Sequence, residues 1–219
     1  MDFKQYYKSQ HKYNINLLIS RKPLLHIDNF LSYITTQINN NNDDYVSWTF
    51  RKAPGFFDVV TWPGNGQVRN IPHNLGSTPG MIIVKRYEGG SSSWSVWHRS
   101  LGLNYQTRLR LNSAEGPSSG EEFWGDSSTA PNMNASTFSV GTTDQVNATG
   151  NNYVAYIFAH DNAQYGTGGD ESIIKCGSYT GTGAEQFIDL GFEPQFLLHK
   201  RTDGSGSWKL FDNMRGWAD

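Results

Sequence analysis

The sequence predicts an all-β protein: tandem β-sandwich units of jelly-roll type, the second incomplete, preceded by a short helical or extended N-terminal arm. Three observations carry this. From Tyr45 onward the apolar residues come in short β-branched and aromatic runs, with Gly, Pro, Asn and Ser between them. Aromatic residues make up 14% of the chain and charged residues only 17%, a composition suited to sheets rather than to Ala-, Leu-, Glu- and Lys-rich helices. Finally, residues 57–100 are written a second time at residues 173–216 with their aromatics, glycines and prolines kept.

The elements run in chain order from the arm. Residues 1–44 hold few glycines, and Ile27, Phe30, Leu31 and Ile34 fall on one helical face that Asp28 or Asn29 can cap. That predicts a short helix in an arm, closed by the Asn- and Asp-rich linker at 39–44. Strands are predicted at YVSWTF, FDVVTW, GMIIVKRY, SWSVWHR, TRLRL, STFSV, YVAYIF, IIKCGSYT, FLLHKR and WKLF. Several alternate with period two; in TRLRL, Leu109 and Leu111 share one side.

The repeat is a register of matched positions. Tyr45, Val46, Trp48 and Phe50 match Tyr153, Val154, Tyr156 and Phe158. Trp62, Gly64 and Gly66 match Tyr179, Gly181 and Gly183, while Leu75, Gly76 and Pro79 match Leu190, Gly191 and Pro194. Lys85 and Arg86 match Lys200 and Arg201; Trp94 and Trp97 match Trp208 and Phe211. The offset drifts only at loops, as in two copies of one folded unit. The glycine pairs are expected to form a tight hairpin with φ > 0. The organisation read from this is an arm and linker at 1–44, a first unit at 45–160 and a partial second unit at 161–219, with 45–50 resembling the closing strand of another unit.

Composition narrows the function. The net charge is −2, with no basic excess to neutralise phosphates, so nucleic acid is not an expected partner. No stretch approaches the ~20 apolar residues of a membrane span, and the N-terminal apolar run, broken by Arg21, Lys22 and His26, does not read as a signal peptide. The single cysteine, Cys176, closes no intrachain disulfide and reads as a small buried hydrophobe in a strand.

The segments VSWTFRKAPGFFDVVTWPGNG, HNLGSTPGMIIVKR, WSVWHRSL, YVAYIFAHD and FDNMRG resemble a repeated domain of large virion structural proteins of marine tailed phages, often tail-fibre components. The resemblance spans residues 45–219. It implies a part of a phage particle, located in the virion, with no catalytic residues to carry over.

The residues themselves assemble no expected chemistry. Glu121 and Glu122 are adjacent and would point to opposite faces of a strand; Asp170 and Glu171 are similar. His98 and Ser100 share a face without a nucleophile elbow, and His98 becomes Asp212 in the second copy. The six histidines lack ligand spacing; His160, Asp161 and Asp170 offer oxygen and nitrogen donors without a calcium-loop order. Asn134 and Asn147 begin glycosylation sequons that read as ordinary turns. No catalytic residue, metal or cofactor is expected.

Aromatics are the remaining signal. Trp94 and Trp97 lie on opposite faces of one strand, so one is core and the other is available to stack on a sugar or pack on a neighbouring subunit. Phe123 and Trp124, in a Gly/Ser-rich stretch, are candidates for the same role. The incomplete second unit should leave an edge and an apolar face around Phe187, Phe196, Leu198 and Phe211 to be covered by chain continuing past Asp219, by another chain or by the arm. The expectation is therefore a non-enzymatic virion component, a homo-oligomer and most simply a trimer, contacting other virion proteins through its arm. A second reading is an adhesin that binds host-surface glycans, with Trp97, Phe123, Trp124, Phe187 and Phe211 as candidate surface or interface contacts.

Overall fold

The computed structural model describes Asn42, residues 49–88 and residues 90–213, and the chain divides into two units, residues 1–49 and residues 50–219. The predicted helix at 27–34, the rest of the arm apart from Asn42, and the predicted strand at 45–50 up to Trp48 lie outside the described residues, as does the chain from residue 214.

Residues 50–213 are all-β and sandwich-like. In order come β1 (Phe57–Pro63), β2 (Arg69–Pro72), β3 (Met81–Arg86), β4 (Ser95–His98), a 3₁₀ turn at Arg99–Leu101, β5 (Leu109–Arg110), β6 (Thr137–Val140), β7 (Asn152–Phe158), β8 (Phe196–His199) and β9 (Lys209–Asp212). Five of them form one antiparallel sheet in the order β1-β7-β3-β4-β5; β2 pairs with β6, and β8 with β9. Among the described residues no helix is long and apolar enough to cross a membrane.

Alternation decides which faces meet. In β7, Tyr153, Ala155 and Ile157 point inward, and the residues between them are only half-buried. The inward set, with Ile82, Val84 and Trp97, packs on Ile71 of β2 and on Phe138 and Val140 of β6. Trp62 closes this core, stacked on Tyr153 and edge-on to Phe138, with its indole N–H given to the Val146 carbonyl at 3.2 Å. The opposite face of the sheet carries Ile83, Val96 and Leu109, and Trp208 from the second copy packs against them.

The glycine turn after β1 is not the hairpin expected from its sequence. β1 pairs with β7, so Gly64 and Gly66 carry the chain across from one sheet to the other. Gly66 sits at φ 69°, a conformation that disfavours any side chain with a Cβ, and its N–H meets the Asn147 carbonyl at 2.7 Å. Its counterpart Gly183 repeats the conformation at φ 73°; Gly76 and Gly191 agree likewise, at 73° and 77°.

The two copies share one hairpin to the residue. In β3–β4, Met81 faces His98, Ile82 faces Trp97, Ile83 faces Val96 and Val84 faces Ser95. In β8–β9 the matched residues face each other in the same register: Phe196 with Asp212, Leu197 with Phe211, Leu198 with Leu210 and His199 with Lys209. The bond from the Arg99 N–H to the Gly80 carbonyl, 3.0 Å, recurs from Asn213 to Gln195 at 3.1 Å. Lys85 Nζ reaches the Ser92 carbonyl across the first turn, and Lys200 Nζ reaches the Gly206 carbonyl across the second.

Outside the hairpin the copies differ. IIKCGSYT, predicted as a strand like β1, forms none. The reason is in the sheet order: the one ladder partner of β1 is β7, and the described residues after 173 contain no counterpart of β7. The same residues instead dock on the first copy. Cys176 donates its N–H to His160 Nδ1 at 3.1 Å, its Sγ lies 3.3 Å from the Ala159 carbonyl, and the Asp161 N–H reaches the Ile174 carbonyl at 2.9 Å. Residues 161–213 therefore pack with the first copy inside one compact unit.

Candidate functional site

Three of the candidate aromatics for surface or interface contact are core residues. Trp97, Phe123 and Trp124 are 3%, 1% and 0% exposed. Trp97 points between the sheets, with its N–H on the Gly102 carbonyl at 3.3 Å. The Phe123 and Trp124 backbone N–H groups both bond to the Tyr105 carbonyl, the Trp124 indole donates to the Thr107 carbonyl at 2.9 Å, and Ser139 Oγ caps the Trp124 carbonyl at 2.6 Å. A Gly/Ser-rich stretch is thereby folded inward. It is Trp94, not Trp97, that lies on the outer face, stacked on Tyr156 with Lys85 Nζ 5.6 Å from its ring. Phe187 is 90% exposed, while Phe211 is half-buried on β9.

The polar candidates serve turns. Glu121 and Glu122 do not diverge, because their segment is not a strand: Glu122 accepts from Thr142 Oγ1, and Glu121 from Thr143 Oγ1 and Gln145 Nε2, tying one loop to the next. His98 Nδ1 caps the 3₁₀ turn by accepting from the Ser100 N–H. Glu171 pairs with Tyr165 through the backbone. Asn134 holds an Asx turn by accepting from the Ser136 and Thr137 N–H groups. Asn147 is fully buried and donates to Asn65 Oδ1 and the Gln67 carbonyl. Among the described residues no three His, Cys, Asp or Glu side chains gather as metal ligands.

One cleft combines volume with charge. It opens over about 460 Å³ between β5 and the loop that follows, lined by Arg108, Arg110, Glu115, Gly116, Pro117, Ser118, Ser119, Glu121 and Phe123. Arg108 is its unusual member. It is 4% exposed, its guanidinium lies over the Phe123 ring at 4.4 Å, and Nη1 donates to Ser118 Oγ at 2.6 Å. Burial and then the neighbouring Arg110 charge push its pKa down; the charges of Glu121 and Glu115 oppose this. Arg110 differs, since it is spent on Glu115 at 2.6 Å.

The second copy braces one wall of this cleft. Trp208 Nε1 donates to the Arg110 carbonyl at 2.7 Å, and the Gly206 N–H and Lys200 Nζ both reach the Ala114 carbonyl. Gly116 must be glycine here, because a Cβ would stand 2.9 Å from the Gly204 carbonyl oxygen. Sequence reasoning placed Leu109 and Leu111 correctly on one side but missed Arg108. The available signal was a pair of arginines two residues apart, on one side of a strand, followed by GPSS.

Among known families, a domain of unknown function, DUF7483, matches residues 53–218. No curated protein and no solved structure matches the chain.

Proposed function

The chain belongs to the DUF7483 family; beyond that membership, we propose that it is a non-enzymatic structural component of a tailed-phage particle, a tail fibre or another tail- or capsid-attached part. The observation that carries this reading is the β3–β4 hairpin rebuilt as β8–β9 in the same register. Repeating one β unit makes a rigid, extendable element whose loops vary without disturbing the ladder. The phage-protein resemblance of residues 45–219 supplies the setting.

Assembly follows from the second copy. Ile173, Tyr179, Phe187, Ile188 and Leu197 are all large, apolar and exposed within one short stretch. Such a concentration marks an interaction surface, and the partner proposed is further copies of the chain, in a cyclic assembly that is most simply a trimer.

The test has two parts. Particles purified from an infected culture should contain the protein at constant stoichiometry, with antibody label at one fixed position by electron microscopy. Light scattering of the purified chain should give a closed oligomer that Phe187→Asp dissociates. Absence from purified particles would refute the structural role; a wild-type monomer would refute the assembly.

A further inference from the structure

We infer that the Arg108 cleft binds an acidic sugar, its carboxylate seated on the Arg108 guanidinium. This goes beyond the structural role and stands or falls apart from it. A buried cation normally has a carboxylate or a full set of hydrogen-bond acceptors, because the desolvation it suffers is otherwise uncompensated. Among the described residues Arg108 has neither. No carboxylate forms an ion pair with it, and its Nε, fully shielded from solvent, donates to nothing.

Neither glutamate of the cleft forms an ion pair with Arg108. Glu115 is held by Arg110 at 2.6 Å. Glu121 is turned to Thr143 Oγ1 and Gln145 Nε2, at 2.9 and 3.0 Å. With Arg110 and Glu115 paired to each other, Arg108 is the cation of the cleft that has no ion pair, and its planar fork matches a carboxylate.

The rest of the wall selects the body of the ligand. Ser118, Ser119 and the Glu121 carboxylate offer hydroxyl and carboxylate partners, and Phe123 is covered by Arg108 rather than exposed for an apolar ring. A polyhydroxylated ligand suits that lining better than an aromatic or aliphatic acid. The volume, about 460 Å³, lies in the ~300–1,000 Å³ range of small-ligand clefts. The wall on the Arg110 side is fixed by Trp208, Gly206 and Lys200, so the cleft is preformed by contact between the two copies.

Galacturonate is the probe, titrated into the full chain and followed by calorimetry and by ligand-observed NMR. A single uronate in a preformed site should bind with a Kd of about 1 mM. Galactose and methyl galacturonate, which lack the charge, should bind at least tenfold more weakly. Arg108→Gln should abolish binding. Because that change touches a buried residue, Ser119→Trp at the exposed rim is the companion variant; it should block the mouth while leaving the circular-dichroism spectrum and Tm unchanged. The inference is overturned if wild type does not bind galacturonate, if galactose binds equally, if Ser119→Trp binds as wild type does, or if inorganic sulfate binds as tightly as galacturonate.

Discussion

The docking of residues 173–176 on the first copy can be read through the only cysteine in the chain. Cys176 is buried against Ala159 and Gly80, and burial pushes its thiol up to about 12 from an ordinary 9.0, with a smaller opposing effect of the Arg99 charge. The thiolate is the reacting species. At pH 8 its population in the docked state is therefore about a thousandfold below that of a free thiol. Labelling by a disulfide reagent must then pass through transient release of the segment, and its rate reports the opening equilibrium. Gly80→Ala perturbs this directly. A Cβ at Gly80 would stand 2.7 Å from both Cys176 Cβ and Sγ and 2.8 Å from the Ala159 carbonyl oxygen. That oxygen belongs to the chain leaving β7 and cannot retreat, so the Cys176 segment must. Overpacking of this kind costs ~1–3 kcal/mol, which corresponds to labelling faster by about fivefold to a hundredfold. His160→Ala, which removes the acceptor of the Cys176 N–H, should accelerate labelling more mildly, by about fivefold for a bond worth ~1 kcal/mol. The pH dependence has a definite sign. The folded pKa is raised, so the stabilisation is complete below pH 9 and is lost as pH climbs toward 12. Native wild-type protein that labels as fast as the urea-unfolded chain, or Gly80→Ala that labels no faster than wild type, would refute this account of the docking.

Other expectations concern the core and its polar fastenings. Trp124→Ala should cost ~3–5 kcal/mol in urea denaturation; a loss below ~1 kcal/mol would show that Trp124 is not the core residue described. Burial holds the His73 pKa below its ordinary value, against the opposing Asn134 carbonyl bond and the Asp58 charge. Its contribution is therefore present above pH 6.5 and lost as pH falls below it, and His73→Gln should flatten the urea-midpoint change between pH 7.5 and 5. Burial raises the Asp58 carboxyl, yet Lys52 and the Asn74 and Val59 amides outweigh it, so its contribution is lost at lower pH, below about 4; Asp58→Asn should remove that acid step. Lys200→Met, which deletes the bonds to Gly206 and Ala114, should speed amide exchange at Gly206 about fivefold while leaving the global Tm within a degree or two.

Period-two patterning made β7 readable, because it buries alternate residues; β3, β4 and β6 are buried on consecutive residues and were readable as short β-branched and aromatic runs, and β8 and β9 as the repeat of β3 and β4. The fate of IIKCGSYT was not readable, because its residues are as strand-like as those of β1, and what distinguishes them is that no central partner strand stands beside them among the described residues. Phe123 and Trp124 were misplaced for a related reason. GPSSGEEFWGDSS has the composition of a surface loop, and what draws it inward is long-range: the Tyr105 and Thr107 carbonyls and the Ser139 hydroxyl. Arg108 was hidden because alternation assigns an arginine beside Leu109 to solvent. The Phe123 ring and Ser118 that cover it come from a loop whose path local pattern does not encode.

The order β1-β7-β3 has a consequence for how the chain reaches this state. The strand that joins β1 to β3 is made last of the three, and β1 waits for it before it has a partner strand. During synthesis β1 must therefore stay open, apolar and available to the wrong edge, while some ninety residues are added behind it. Pairing across such a separation is slow, and it favours aggregation when many chains are made at once. The β3–β4 hairpin closes over a short loop and needs nothing downstream, so it is the natural first structure of the nascent chain. The same hairpin is the part rebuilt at β8–β9, where no late strand among the described residues arrives to complete the sheet. Within the described residues, that early-closing hairpin is the part both copies build as paired strands.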